Sequence, residues 1–151
     1  MTIASRQRGD YVSKLDAHEC RAVLAAGTIG RIGWAAGSGQ LILPVTYGYR
    51  DPIIGFRTHP NGRLSELVRP TPVAFEVDIL DQLHNEGVSV LIQGVTRSAQ
   101  EPGPHDQDWT ELVVPWAGGQ RELAIEISIS RISGRRIHRD PAGLSPHHSR
   151  N

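Results

Sequence analysis

The sequence has almost no cysteine, few aromatic residues and no excess of charge of either sign. Cys20 is the only cysteine among 151 residues, which excludes an intramolecular disulfide and fits a reducing compartment. Sixteen basic residues balance sixteen acidic ones, so no overall field recruits nucleic acid or an anionic membrane. No run approaches the roughly 18 apolar residues of a membrane-spanning helix. We therefore expect a cytoplasmic protein that binds neither nucleic acid nor membrane.

The composition predicts one globular domain. Hydrophobic residues make up 38% and charged residues 21% of the chain, as in ordinary soluble proteins. Aromatic residues make up only 5%, so the core must consist largely of valine, isoleucine, leucine and alanine, and their clustering in short runs favours strands. We expect an N-terminal extension over residues 1–14 without signal-peptide character. We predict a folded domain over 15–138. The tail over 139–151 is rich in Pro, Gly, Ser and His, so we expect it to be disordered.

Local patterns predict many strands and few helices. Asp16 and Glu19 form a capping box for a first helix that Gly27 ends, and a second, short helix opens at Asn61-Gly62. The predicted strands cover residues 28–34, 41–50, 53–58, 73–80, 88–98 and 123–130, and a helical turn is predicted at 109–113. In the last strand, isoleucines alternate with residues such as Ala124 and Glu126, which predicts that the latter face water. A closed or nearly closed antiparallel barrel accounts for this pattern, because closure removes exposed strand edges.

One segment has the composition of a phosphate site. Arg57 and Thr58 are followed closely by Asn61-Gly62 and Arg63. Two guanidinium groups, a hydroxyl and a helix N-terminus offer the converging donors that a phosphate needs. The alternative is a solvated turn that carries two surface arginines.

Pro44 interrupts the predicted strand that also contains Val45, Thr46 and Tyr47. A proline cannot donate to the strand ladder, so it marks an edge or a bulge, where neighbouring backbone groups can meet the ring of a ligand. The alternative is a plain edge strand. Trp34 and the tyrosines at 47 and 49 fit either an interface or ordinary packing of the barrel.

The remaining polar residues point to structural roles. The histidines have no metal-ligand spacing, so we predict no metal site. Glu76 and Asp78 alternate with apolar residues on one predicted strand, and we expect them to pair with an arginine such as Arg31. Cys20 lies on the apolar stripe of the first helix and is expected to be buried.

The ordered set of motifs resembles the actinobacterial branch of the pyridoxamine 5′-phosphate oxidase-like, FMN-binding split-barrel family. The resemblance runs from about residue 15 to residue 137. Its motifs are Gly30-Arg31-Ile32-Gly33, Leu43-Pro44-Val45-Thr46-Tyr47, Phe56-Arg57-Thr58, Gly62-Arg63-Leu64, Val73-Ala74-Phe75-Glu76-Val77-Asp78, Gln93-Gly94, Pro115-Trp116-Ala117 and Ile132-Ser133-Gly134-Arg135-Arg136-Ile137.

This resemblance implies a mainly β fold, a six-stranded antiparallel split barrel with a few short helices. It also implies a homodimer that binds two FMN molecules at its interface. Arg57, Thr58, Arg63 and Leu64, together with Phe56, would bind the FMN phosphate and its neighbourhood. The segment Pro44, Val45, Thr46 and Tyr47 would line the isoalloxazine, and Trp116 would approach the flavin from the partner chain.

The function implied is hydride or electron transfer on a small molecule through FMN. No residue stands out as a catalytic acid or base, and flavin hydride transfer does not require one. Two alternatives remain open: a reductase of the same fold that uses the deazaflavin coenzyme of actinobacteria, and a non-catalytic module that binds flavin or haem. The sequence names neither the substrate nor the electron donor.

Overall fold

The computed structural model describes residues 12–84, 86–100, 108–113 and 121–138 of the chain. Within these residues there are one α-helix, two short 3₁₀ helices and eight strands. The helices are α1 (Ala17–Ala26), η1 (Arg63–Val68) and η2 (Asp108–Leu112). The strands are β1 (Val12–Leu15), β2 (Ile29–Ala36), β3 (Gly39–Thr46), β4 (Gly48–Arg50), β5 (Ile53–Thr58), β6 (Pro72–Asp81), β7 (Glu86–Ser98) and β8 (Leu123–Ile137).

The strands form one antiparallel sheet in the order β3-β2-β6-β7-β8-β5-β4, and β1 pairs with the C-terminal part of β8. In the described part of the chain, β3 and β4 end this order without pairing with each other, so the barrel is split. The predicted mainly β split barrel is confirmed. Six of the strands have six residues or more, whereas β1 and β4 have four and three.

Several boundaries differ from the prediction. The run predicted over residues 41–50 divides at Tyr47 into β3 and β4, and the last strand continues to Ile137. Residues 12–14 of the predicted extension belong to β1, which pairs with β8. The predicted tail over 139–151 lies outside the described residues. Among those that are described, no helix is both long and apolar enough to cross a bilayer.

Helix α1 forms where the capping box predicts it. The backbone N–H of Glu19 donates to Asp16 Oδ1 and that of Asp16 donates to Glu19 Oε2, both at 2.8 Å. These bonds satisfy two donors that have no acceptor inside the helix. The helix ends at Gly27, as predicted, and buries Cys20 and Leu24 against the barrel.

The main core fills the inside of the barrel with aliphatic side chains and four buried aromatic residues, Trp34, Tyr47, Phe56 and Phe75. The rings of Tyr47 and Phe75 meet edge to face, with centroids 5.1 Å apart. The hydroxyl of Tyr47 donates to the carbonyl oxygen of Leu24 at 2.7 Å, so the buried phenol is satisfied and links the barrel to α1. Burial raises the pKa of Tyr47 far above its usual range, and this hydroxyl therefore stays protonated.

A second apolar cluster lies on the outside of the sheet, where η2 covers β5 and β8. Trp109 packs there against Ile53, Ala99 and Ala124. Glu126 is 0% exposed beside it, accepts a hydrogen bond from Trp109 Nε1 at 2.8 Å and forms an ion pair with Arg97. The prediction that Ala124 and Glu126 face water is wrong. Both lie on the outer face as the alternation requires, but η2 excludes water from that face.

A charged cluster on the outer face joins β2 and β6. Arg31 Nη1 lies 3.5 Å from Glu76 Oε2 and 3.5 Å from Asp78 Oδ2, which confirms the predicted pairing. The Ser89 hydroxyl donates to Glu76 Oε1 at 3.2 Å. Hydrogen bonding with Asp78, then partial burial and repulsion by the Asp78 charge, raise the pKa of Glu76 above its ordinary value.

The fit of Trp109 against Gly55 predicts that Gly55→Ala destabilises the fold. A methyl group at this position would overlap the indole ring, and neither β5 nor the buried indole has room to move. We expect a loss of about 1–3 kcal/mol in the free energy of unfolding, measured by urea denaturation. The matched control is Gly37→Ala, because a methyl group at Gly37 meets no atom within 4 Å. Equal stability of the two variants would contradict the packing described for Trp109.

The raised pKa of Glu76 predicts a pH-dependent effect of Glu76→Gln. The folded state favours the protonated carboxyl. The favourable contribution of Glu76 to the free energy of unfolding is therefore complete at a pH below its ordinary pKa, and it is lost as the pH rises through its folded-state pKa. Glutamine resembles the protonated form. The variant should therefore match the wild type near pH 3 and exceed it at pH 7 by roughly 0.5 kcal/mol, the scale of exposed charge pairs.

Urea titrations at the two pH values measure this difference, and Glu122→Gln is the control because Glu122 is exposed and has no ion pair within the described chain. A Glu76→Gln variant that is less stable than the wild type at pH 7 would show that attraction to Arg31 outweighs the repulsion from Asp78.

Candidate functional site

A tight turn connects the end of β5 to η1 and carries most of the polar residues predicted to bind phosphate. The carbonyl oxygen of His59 accepts the N–H of Gly62 at 3.0 Å, and His59 Nδ1 accepts the N–H of Asn61 at 3.1 Å. A Cβ on Gly62 would lie 3.7 Å from Thr58 Oγ1, so the Thr58 hydroxyl borders the turn. The structure thus places the hydroxyl next to the start of η1, where Arg63 stands.

The helix after this turn is shorter and tighter than predicted. It is a 3₁₀ helix of six residues that starts at Arg63, with Gly62 rather than Asn61 at its N-cap and no side-chain cap. The Ser65 hydroxyl donates to the Gly62 carbonyl at 2.6 Å. A helix this short has little macrodipole, so attraction of an anion depends on the guanidinium groups.

Arg57 and Arg63 are available for an anionic ligand. Arg57 is half-buried on the outer face of β5, and Arg63 is exposed. Within the described part of the chain neither forms an ion pair, and the Thr58 hydroxyl has no hydrogen-bonding partner. In contrast, Arg31 and Arg97 are each held by carboxylates. Cations left without a counter-charge beside a free hydroxyl are suited to bind phosphate oxygens.

The second predicted segment lies at an edge of the sheet. Pro44 is exposed on β3, opposite Arg31 of β2, and β3 has no neighbour on its other side among the described strands. Thr46 is half-exposed, whereas Val45 is buried. Residues of β3 and β5 come within 8 Å of each other between Cα atoms, so the strand that carries Pro44 and the strand that carries Arg57 lie close to each other.

Four predicted site residues turn their side chains inward. Phe56 and Val45 are buried in the core, Leu64 is half-buried against it, and the Tyr47 side chain is buried as described above. The backbone N–H of Tyr47 also has a partner, the Thr28 carbonyl oxygen at 3.1 Å. These side chains hold the segments in place, and any contact with a ligand would come from their backbones. Trp116 lies outside the described residues.

An open apolar cleft of about 610 Å³ lies on the outer face of β2, β3, β6 and β7. Small residues form its floor, and Ile42, which is 69% exposed, stands at its edge. Leu91 and Val95 add exposed apolar surface on β7. The lining residues include Gly33, Ala35, Ile42, Pro72, Ala74, Val95 and Ser130. A wide apolar surface of this kind is typical of a face that another molecule covers.

One contact near the site could not be predicted from the sequence. Trp34, buried in β2, donates its indole N–H to the carboxylate of Glu66 in η1. The two residues are 32 positions apart, and neither forms a motif with its neighbours. Only the pairing of β2 within the barrel brings them together. Across the described ranges, no group of three histidine, cysteine or acidic residues could hold a metal ion.

Comparison with known proteins identifies the family. The family model described as pyridoxamine 5′-phosphate oxidase matches residues 16–136. The uncharacterized protein Rv0080 of Mycobacterium tuberculosis is 28% identical over 142 residues, which cover 91% of this chain and 93% of that protein.

Solved structures agree with the family model. An FAD-binding protein from Mycobacterium smegmatis superposes with a TM-score of 0.71 at 25% identity, over 85% of this chain and 100% of that chain. An FAD-binding protein from Mesorhizobium loti superposes with a TM-score of 0.66 at 26% identity, over 83% of this chain and 97% of that chain. The fold, the order of motifs and the family match together show that this chain belongs to the pyridoxamine 5′-phosphate oxidase-like family.

Proposed function

We propose that this protein binds FMN as a homodimer and uses it to transfer a hydride or electrons to or from a small molecule. The observation that carries the proposal is the pair of arginines without ion-pair partners in the described chain, Arg57 near the end of β5 and Arg63 at the start of η1, with Thr58 next to the turn that joins these two elements. In a family whose solved members include FAD-binding proteins, this donor set is the natural site for a flavin phosphate.

The donor set fits the chemistry of FMN. A phosphate monoester carries close to two negative charges at neutral pH, and charge-assisted hydrogen bonds from guanidinium groups are about twice as strong as neutral ones. The Thr58 hydroxyl adds a donor on the inner side of the turn. Arg57 lies on β5 and Arg63 on η1, so the two guanidinium groups come from two different elements, as binding of a tetrahedral anion favours.

The isoalloxazine would lie along the split between β3 and β5, against the backbone of residues 44–46. When bound, the flavin supplies the hydride or electron transfer. The protein's residues orient it: the arginines fix its phosphate end, and the exposed edge of β3 offers backbone groups to its ring edge. We assign no catalytic acid or base.

FAD is a second candidate, because both solved relatives reported above are described as FAD-binding proteins. Its pyrophosphate offers the same chemistry to Arg57 and Arg63, and the bound molecule differs in mass from FMN. The deazaflavin coenzyme and haem remain alternatives of the same fold. A mass measurement on the released ligand separates all four.

The homodimer is proposed from the apolar cleft on the outer face. Ile42 and Val95 are exposed there, and the small residues of the cleft floor let another molecule approach the sheet closely. A second copy of the chain would bury this surface. The family resemblance implies that Trp116 of the second copy would then approach the flavin.

The two arginines predict the outcome of a double substitution. Wild-type protein purified from an ordinary host should show flavin absorption bands and release FMN on heating, identified by mass spectrometry. Arg57→Ala with Arg63→Ala should lower FMN affinity by about 100-fold or more, because each charge-assisted bond contributes about 1.5–3 kcal/mol.

The control is Arg50→Ala on β4, an exposed arginine without an ion pair within the described residues, and it should retain flavin. Unchanged flavin occupancy in the double variant, with an unaltered circular dichroism spectrum, would refute the assignment of the phosphate site.

The cleft predicts that Ile42→Asp prevents dimerisation. A carboxylate buried at an apolar interface is costly to desolvate, so the variant should elute as a monomer in light-scattering chromatography. Leu83→Asp is the matched control, because Leu83 is 90% exposed on the β6–β7 hairpin, away from the cleft. A monomeric wild type, or an Ile42→Asp variant that remains a dimer, would contradict this use of the outer face.

A further inference from the structure

Trp34 connects the inside of the barrel to the helix that carries Arg63. Its indole is 4% exposed, and its N–H donates to the Glu66 carboxylate. Glu66 lies in η1, three residues after Arg63. The bond therefore links β2 to a helix whose first residue is proposed to bind phosphate.

The position of Glu66 in η1 poses a problem for anion binding. In a 3₁₀ helix, residues three apart lie nearly above one another, so Arg63 and Glu66 share one side of η1. Opposite charges at this spacing attract, and the default local arrangement is an ion pair. Such a pair would cancel the charge of Arg63 and occupy its donors.

The structure shows a different arrangement. Within the described chain, Glu66 forms no ion pair with Arg63, nor with Arg69, which follows it by three residues. The carboxylate instead accepts the indole N–H of Trp34. Because tryptophan is only a donor and is neutral, it can hold the carboxylate without competing for the arginines.

The other contacts of η1 with the barrel are apolar, through Leu64, Leu67 and Val68, or lie beyond its last residue. Leu67 is fully buried in the core, and Thr96 Oγ1 donates to the Arg69 carbonyl at 2.9 Å just after the helix. The Ser65 hydroxyl donates within the turn itself, to Gly62. Among the described residues, the Trp34–Glu66 bond is thus the polar link between the body of η1 and the barrel.

We propose that Trp34 is a positioning residue of the phosphate site, which holds the Glu66 carboxylate away from Arg63 and so leaves that guanidinium free for a phosphate group. The inference rests on the proposed function, since it assigns a role to Trp34 in the same site. It goes further in naming the acidic residue that competes with the ligand and the indole that restrains it.

The test compares FMN with riboflavin, which lacks the phosphate. Trp34→Phe keeps an aromatic ring in the core but removes the N–H, so Glu66 is released to pair with Arg63. The ratio of FMN to riboflavin affinity should fall about tenfold, the value of one charge-assisted hydrogen bond. Riboflavin affinity itself should change less than about threefold, because the indole N–H touches only the carboxylate. Fluorescence titration of the flavin measures both constants.

Glu66→Gln provides the decisive second variant. Alone, it should change the ratio by less than about threefold, because the carboxylate is already withdrawn from Arg63. Combined with Trp34→Phe, it should restore the wild-type ratio, since the competing charge is gone. A general loosening of the fold would not be repaired by this second substitution.

The outcomes separate the two proposals. If wild-type protein binds FMN no better than riboflavin, the phosphate site itself is wrong and the role of Trp34 falls with it. If the wild type prefers FMN but Trp34→Phe keeps that preference, or the double variant fails to regain it, only the role of Trp34 is refuted. If Trp34→Phe does not fold, Glu66→Gln alone serves as the test. A tenfold rise in its ratio of FMN to riboflavin affinity would refute the role of Trp34, and a change below threefold would support that role.

Discussion

The fold depends on one long strand, β8, which pairs with three other strands. β8 pairs with β5 along its first half, with β7 along most of its length and with β1 at its end. To pair on two sides while the barrel curves, the β7–β8 ladder shifts its register between Gln93 and Gly94, where a side chain larger than glycine would collide with the Ser128 carbonyl. The bend brings β5, with Arg57 at its end, toward β3 and leaves the split where the proposed ligand lies.

Acidic and basic side chains differ in whether they have bonding partners. Among the acidic side chains, Glu66 has an indole as its partner, Glu126 has an arginine and an indole, and Glu76 shares an arginine with its neighbour. Arg57 and Arg63 have no such partner in the described chain. The local excess of positive charge therefore arises in a chain of zero formal net charge, because the carboxylates are engaged elsewhere.

Local signals were sufficient for part of this structure. The capping box placed α1 because its bonds join residues three apart, and alternation placed the long strands because the side-chain period of a strand is two. Alternation failed at Glu126 because its cover, η2, comes from a distant segment. The Trp34–Glu66 bond could not be predicted from the sequence either, because it depends on how β2 and η1 pack together. The arginines could be proposed from the sequence because phosphate chemistry selects a residue type, whereas a contact such as the Trp34–Glu66 bond has no such signature.

Pro44 also affects whether the free edge of β3 can pair with another chain. A strand at the end of an open sheet presents unpaired N–H and C=O groups, which can template pairing with another chain and lead to aggregation. Pro44 removes one donor from β3 and makes its free edge a poor template for a further strand. The split between β3 and β4 can therefore stay open without promoting edge-to-edge polymerisation, so solubility constrains the residue at this position independently of the proposed ligand.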